Sequence, residues 1–168
     1  CTAKGIEFET GMLMHAVLED VLAPAQRSRI TCLSGPSFAK EVAERKPTVV
    51  TIAAAEEQYA VAVQSKLSCP WFRCYSTDDV VGVEVGGALK NVVAIAVGMS
   101  DGMGHGLNAR AALMTRGLAE VARLAMELGG RVETLGGLSG MGDLLLTCTG
   151  DLSRNRQVGL GLGRGRKL

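Results

Sequence analysis

The sequence predicts an α/β segment over residues 1–79 followed by an all-helical segment over residues 80–168. Three observations carry this reading. Short β-branched runs alternate with amphipathic helical periods in the first part. The strand signal stops at Asp78. Two long helical periods, Val80 to Ser100 and Asn108 to Leu128, then dominate. The 168 residues suffice for one large domain or two small ones. Hydrophobic residues make up 47% and aromatics only 4%, so the core must be built from Ala, Val, Leu, Ile and Met.

From the amino end, Gly11 to Leu22 places Leu13, Met14, Val17, Leu18, Val21 and Leu22 at helical spacing. Ile30 to Leu33 is a short strand, closed by Ser34-Gly35-Pro36, and Ser37 to Glu44 a short helix. The β-branched run Thr48 to Ala53 reads as a buried strand. Glu56 to Leu67 is a helix with Tyr59, Val63 and Leu67 turned inward, and Phe72 to Tyr75 is a further strand. The helix at Asn108 to Leu128 puts Leu113, Met114, Gly117, Leu118, Val121, Leu124, Ala125 and Leu128 on one face. Its outer face carries the pairs Arg116–Glu120 and Arg123–Glu127. Gly129-Gly130 supplies its C-cap. Shorter helices are expected over Thr134 to Leu138 and Met141 to Cys148, and Ser153 is the N-cap of another.

Charge and composition exclude several classes. A net charge of +1 attracts neither nucleic acid nor a membrane surface, and Arg164, Arg166 and Lys167 read as a solvated terminal run. Val80 to Met99 is about one membrane span long, but Glu84 and Lys90 lie within it. Each costs roughly 2.5–3.5 kcal/mol or more at a bilayer centre, so a core helix is expected rather than membrane insertion. Five cysteines without a CxxC pair, and two histidines far apart, show no metal-ligand spacing and read as reduced cytosolic thiols. No initiator Met stands at Cys1, Lys4-Gly5-Ile6-Glu7 reads as a strand end in mid-fold, and the last residues are glycine-rich, so both ends read as cut.

Four constellations carry chemistry. Gly82, Gly86, Lys90, Ala94 and Gly98 recur every four residues, which sets one lysine in a stripe of very small residues. Desolvation there drives the lysine pKa toward neutrality unless an acid opposes it. The same stripe also suits plain helix packing with the lysine snorkelling out. Asp143, after Gly140-Met141-Gly142, is either a helix cap or the partner of Lys90. Ser153-Arg154-Asn155 opens a helix with free amides and a guanidinium, which suits phosphate and equally an ordinary capped helix. Ser34-Gly35-Pro36-Ser37-Phe38 sits at a strand-to-helix turn, where α/β ligands bind, and Lys4 holds a similar place after the first strand. Pro36 also suits a plain helix start. The glycines at 159, 161, 163 and 165 follow a helix pattern, so they are no dinucleotide fingerprint.

In order and spacing, these runs resemble the bacterial NAD(P)-dependent glycerol-3-phosphate dehydrogenases over essentially the whole chain. The resemblance lies in Lys4-Gly5-Ile6-Glu7, Leu33-Ser34-Gly35-Pro36-Ser37-Phe38-Ala39-Lys40-Glu41 and Val83-Glu84-Val85-Gly86-Gly87-Ala88-Leu89-Lys90-Asn91-Val92. It continues in Asn108-Ala109-Arg110-Ala111-Ala112 and in Gly142-Asp143-Leu144 through Ser153-Arg154-Asn155-Arg156. It implies reduction of dihydroxyacetone phosphate to sn-glycerol 3-phosphate with NADPH or NADH, for phospholipid synthesis. By resemblance, Lys90 is the proton donor and acceptor, with Asp143 beside it. Lys4 contacts substrate and cofactor; Gly35 and Ser37 line the substrate; Ala39 contacts the cofactor. Ser153, Arg154 and Asn155 grip the substrate, and Arg154 also reaches the nucleotide.

The fold so implied is the last part of a Rossmann-like nucleotide domain, residues 1–79, joined to the first part of a helical substrate domain, residues 80–168. The family's amino-terminal glycine loop and carboxy-terminal helices have no counterpart in the sequence, so the isolated chain is expected not to bind NAD(P)H usefully. Leu107 stands where some members have an acid. Two alternatives stay open: a related two-domain hydroxyacid dehydrogenase, and a non-catalytic helical interaction module. The choice between NADPH and NADH and the oligomeric state, a homodimer included, are not set by these residues.

Overall fold

The computed structural model describes residues 1–167 and places a small sheet in front of a helical bundle. The amino end runs into α1 (Met14–Val21) and a short α2 (Pro24–Arg27), then β1 (Cys32–Ser34), α3 (Ala39–Ala43), β2 (Thr48–Ala53), α4 (Glu57–Leu67) and β3 (Phe72–Thr77). The helical part follows: α5 (Val80–Gly102), α6 (Gly106–Glu127), α7 (Val132–Gly136), a π-helical turn Leu138–Gly142, α8 (Asp143–Thr149) and α9 (Arg154–Gly163). The α/β-then-helical reading therefore holds.

The sheet order is β1-β2-β3. β2 and β3 are parallel, pairing Thr48 with Phe72 through Ala53 with Thr77, and α4 makes the crossover that parallel strands need. β1 runs antiparallel to β2, with Cys32 opposite Ala53. Val50, Ile52, Ala60 and Cys74 pack between sheet and α4. Tyr59 and Val63 flank this cluster as expected, but Leu67, the last residue of α4, is 44% exposed and lies outside the cluster.

α5 is the spine. Its N-cap Asp79 accepts from Gly82 N–H at 2.8 Å, and its other oxygen takes Arg131 N–H at 2.9 Å, which ties the α6–α7 turn to the same point. By length and composition α5 could cross a membrane, with mean hydropathy 1.7. It is instead packed by α6, α8 and α9. A methyl on Gly98 would collide with the Arg156 carbonyl of α9, and one on Gly159 with the Ile95 carbonyl of α5. The two backbones thus lie in direct contact. The glycines at 159 and 163, together with Gly161, belong to this helix rather than to a nucleotide loop.

Several local expectations shift. The first helix starts at Met14, three residues later than its apolar period, because residues 7–12 form a turn in which Glu7 N–H donates to Met12 O at 2.9 Å. The carboxylate of Glu120 takes both arginines, Arg116 at 3.0 Å and Arg123 three residues on, so Arg123 does not pair with Glu127. Only Val121, Ala122 and Ala125 of α6 are fully buried, and Leu113, Leu124 and Leu128 stay exposed. The expected helices over 134–138 and 141–148 are displaced into α7, the π turn and α8, since Gly137 interrupts the first and Gly140 admits the wider turn.

Gly98→Ala must separate two backbones, neither of which has a flexible end to yield. It should cost about 3 kcal/mol, the upper range of overpacking. Gly161→Ala, on α9 but facing only the Arg166 side chain at 3.3 Å, should be neutral or gain up to about 1 kcal/mol from helix propensity. Urea unfolding midpoints of the two variants check this, and equal midpoints would refute the backbone contact.

Candidate active site

The site is assembled around Asp143, which is 2% exposed. The π turn swings the first residue of α8 toward α5, because Gly86 leaves room there: a Cβ on Gly86 would stand 2.7 Å from the Ser139 carbonyl. Gly86 is one turn before Lys90 on the same face. Lys90 Nζ then donates to Asp143 Oδ1. Lys4 Nζ, arriving from the amino-terminal segment, donates to Oδ2 at 2.6 Å. One carboxylate is shared by two lysines from the two parts of the chain.

Two hydroxyls complete the cluster. Ser34 Oγ, at the end of β1, lies 3.5 Å from Asp143 Oδ2. Thr147 Oγ1 donates to the Asp143 carbonyl at 2.6 Å and stands 3.5 Å from Oδ1. Burial pushes the Lys90 amine down to about 8; the Asp143 carboxylate resists this, and the Lys4 cation adds to it. The amine is thus lowered although an acid opposes burial: Asp143 reduces the fall without cancelling it. The lysine does not snorkel out: it is 9% exposed and directed inward.

The glycine stripe itself is not a ligand groove. Gly86 is covered by Ser139 and Leu135, and Gly98 by Arg156, so packing partners occupy both faces that a ligand would need. Lys90 meets the rest of the cluster at the end of that packed stretch.

The other predicted residues frame the cluster at different distances. Gly35 has φ +143, and a Cβ there would lie 2.9 Å from Val50 Cα, so only glycine permits this turn. Ser37 Oγ donates to the Gly35 carbonyl at 3.1 Å. The turn is held to the helical part at both ends of α8. The Pro36 ring lies against Gly142, and the Phe38 ring against Gly150. Ala39 is exposed on the first turn of α3. Ser153 caps α9, its Oγ accepting from Arg156 N–H at 3.2 Å. Asn155 Nδ2 donates to Asn91 Oδ1 at 2.8 Å, which links the start of α9 to the residue beside Lys90. Arg154 is exposed.

Thr147 and Asn91 belong to this constellation but carry no role in the sequence reading. Thr147 is four residues after Asp143 and therefore on the same helical face, a signal the sequence does contain. Arg156, read only as part of a run, is 8% exposed and pairs with Asp101 at 2.9 Å, where Arg110 also binds at 2.9 Å. This network clamps α5, α6 and α9 together. A concavity of about 580 Å³ beside Cys69, Arg73 and Tyr75 shares no residue with the lysine cluster.

Comparison with known proteins follows the same lines. The model of the NAD-dependent glycerol-3-phosphate dehydrogenase N-terminus matches residues 1–60, and that of the C-terminus matches residues 79–168. Named glycerol-3-phosphate dehydrogenase with NAD(P)+, the protein of Syntrophotalea carbinolica is 60% identical over 99% of this chain and 50% of its own. That of Solidesulfovibrio magneticus is 58% identical over 100% of this chain and 51% of its own. The crystal structure of glycerol-3-phosphate dehydrogenase from Coxiella burnetii superposes with a TM-score of 0.90 at 45% identity, over 99% of this chain and 50% of that one. The chain spans about half the length of the curated relatives it matches. With both halves of its length matched in order, the chain belongs to the NAD-dependent glycerol-3-phosphate dehydrogenase family.

Proposed function

We propose that the chain forms the reacting end of a cytoplasmic enzyme that interconverts dihydroxyacetone phosphate and sn-glycerol 3-phosphate with NAD or NADP, feeding glycerophospholipid synthesis. Residues 1–79 contribute the last part of the nucleotide domain and residues 80–168 the first part of the substrate domain. The observation that carries this reading is the buried Lys90, held by an Asp143 that Lys4 shares.

The donor set fits the substrate end of such a reaction. Two ammonium groups and two hydroxyls around one carboxylate suit a ketone and its developing alkoxide. When bound, the nicotinamide supplies the hydride. Lys90 Nζ delivers a proton to the ketone oxygen as negative charge grows there, and takes it back in the oxidising direction. Asp143 keeps Lys90 aimed and lowers the cost of its charged form. Lys4 brings a second positive charge beside the same oxygen. Gly35 and Ser37 line the substrate, and Ala39, with Lys4 and Arg154, contacts the nucleotide. Ser153, Arg154 and Asn155, at the start of α9, hold the phosphate.

Three measurements on the protein at the full length of its relatives test this. Lys90→Met keeps length and removes charge, so kcat should fall at least about 10²-fold while NADPH affinity stays nearly unchanged. A kcat within a few-fold of wild type would exclude Lys90 as the acid. Arg154→Ala should cost dihydroxyacetone phosphate about 1.5–3 kcal/mol in kcat/KM and unphosphorylated dihydroxyacetone much less. Equal losses would remove the phosphate assignment and favour a substrate without one.

The pH dependence has a definite sign. Reduction needs protonated Lys90, so kcat for reduction should decline as pH rises through about 8. Asp143→Asn removes the attraction that opposes burial, so the decline should move to lower pH. A kcat profile whose alkaline limb stays in place in the Asn variant would dissociate Asp143 from Lys90.

A further inference from the structure

We propose that Glu84 is a positioning residue: from α5 it caps the N-terminus of α1 and so fixes Lys4 against Asp143. The inference rests on the catalytic reading of Lys90 given above.

Glu84 stands on α5, six residues before Lys90, and is 7% exposed. Its carboxylate is fully engaged, and every partner lies on another element. Oε1 accepts from the His15 backbone N–H at 2.9 Å and from the Cys32 thiol at 3.0 Å. Oε2 faces His15 Nδ1 at 2.6 Å. His15 is the second residue of α1, so its N–H is one of the four amides that a helix start leaves unpaired. The N-cap itself, Leu13, has no side-chain oxygen to offer and is buried in the core instead. A carboxylate from a distant helix therefore performs the capping, with the helix dipole in its favour.

The consequence falls on Lys4. The segment carrying it is held at both ends. Upstream, Leu33 N–H of β1 donates to the Cys1 carbonyl at 2.9 Å. Downstream, the chain turns back at residues 7–12, Ile6 bridges Leu13, and Glu84 takes His15. Between these ties the aliphatic stem of Lys4 runs over Gly87, where a Cβ would meet it at 3.5 Å. Lys4, Cys32, Ser34, Glu84 and Gly87 line one small space. α5 is thus a rigid rod with the cap at Glu84 and the acid at Lys90, about 9 Å apart along its axis. The ionisable groups around Glu84 are His15 and Cys32, with Lys4 in the same space and Glu19 further along α1. Burial opposes the charge on Glu84, yet the hydrogen bonds of His15 and Cys32 hold its pKa below the usual range. Burial, then Glu84, pushes the Cys32 thiol up, so it stays a donor. The Glu84 hydrogen bond raises the His15 imidazole against desolvation.

Glu84→Ala, Glu84→Gln and Glu84→Asp at the full length of the relatives separate positioning from mere support. In the Ala variant, kcat for dihydroxyacetone phosphate reduction should fall about tenfold, since a slightly misplaced group loses rate on that scale. The alkaline limb of its kcat profile should also move upward, because Lys4 no longer presses its charge on Lys90. The Gln variant still accepts the His15 N–H and should keep kcat within about threefold, with the limb in place. The Asp variant withdraws the carboxylate without losing its charge, and should show the upward shift even if the Ala variant does not fold. Hydrogen exchange of amides 2–21, read without turnover, should quicken about tenfold in Ala and Asp but not in Gln. A lowered melting temperature with an unmoved pH limb would make Glu84 a structural residue only and overturn the proposal, as would unaltered exchange. If the wild-type enzyme does not reduce dihydroxyacetone phosphate, or Lys90→Met leaves kcat intact, the catalytic reading fails instead, and the exchange data still decide the tie.

Discussion

The shared Asp143 carboxylate is the constraint around which the rest of this chain is arranged. Three ionisable groups from residues 4, 90 and 143 are gathered where water is largely excluded. Taking charges out of water costs several kcal/mol per ion unless partners replace the lost hydration. Lys90 takes Oδ1 and Lys4 takes Oδ2, so both carboxylate oxygens are paired, and removing Asp143 would leave two cations facing each other. Ser34 and Thr147 add hydroxyls at the same carboxylate. Such a cluster stabilises the fold weakly, but it does define one mutual placement of the amino-terminal segment, α5 and α8.

That placement is carried by backbone contacts rather than by large side chains. With so few aromatics, the helices must approach closely, and glycine permits this on both sides of the α5–α9 crossing. Gly86 works the same way at the π turn, where the wider turn brings Asp143 to the Lys90 face. Close backbone packing resists small displacements, because neither partner has a rotamer to change. The geometry of the ion cluster is therefore inherited from the spacing of small residues on α5, one turn at a time.

Much of this was legible in the sequence, and the limits have physical causes. Period located α4, α5 and α6, and β-branched composition the strand at 48–53; the strand read over 72–75 runs two residues further, to Thr77. An acid after glycines admitted a helix cap as well as a partner for Lys90; the family resemblance put Asp143 beside the lysine, and the fold shows the pairing. The stripe was less legible. Small residues every four positions admit a ligand or another backbone equally, and only the tertiary fold shows Arg156 and Ser139 in that space. The π turn left no mark beyond Gly140. Glu84 was invisible as a cap because its partner, His15, is 69 residues away and the signal for helix starts is local. Arg123 chose Glu120 over Glu127 because two arginines converge on one carboxylate, which pairwise spacing does not anticipate.

The two ends of the site are prepared to different degrees, and this bears on how binding energy is used. Lys90, Asp143, Lys4 and Thr147 are joined to one another, so in the proposed reaction proton delivery needs little rearrangement. At the start of α9, Ser153 is engaged by its own helix and Asn155 by Asn91, while Arg154 stands exposed. In the proposed reaction, the phosphate is the part of the substrate that does not change. Energy gained by engaging Arg154 can therefore be used to press the ketone toward the preset lysine rather than to tighten ground-state binding alone. The Asn155–Asn91 hydrogen bond gives a direct route for that effect, because Asn91 is the neighbour of Lys90 on α5. In the proposed reaction, a phosphate held at α9 would therefore be linked through one side-chain hydrogen bond to the residue next to Lys90.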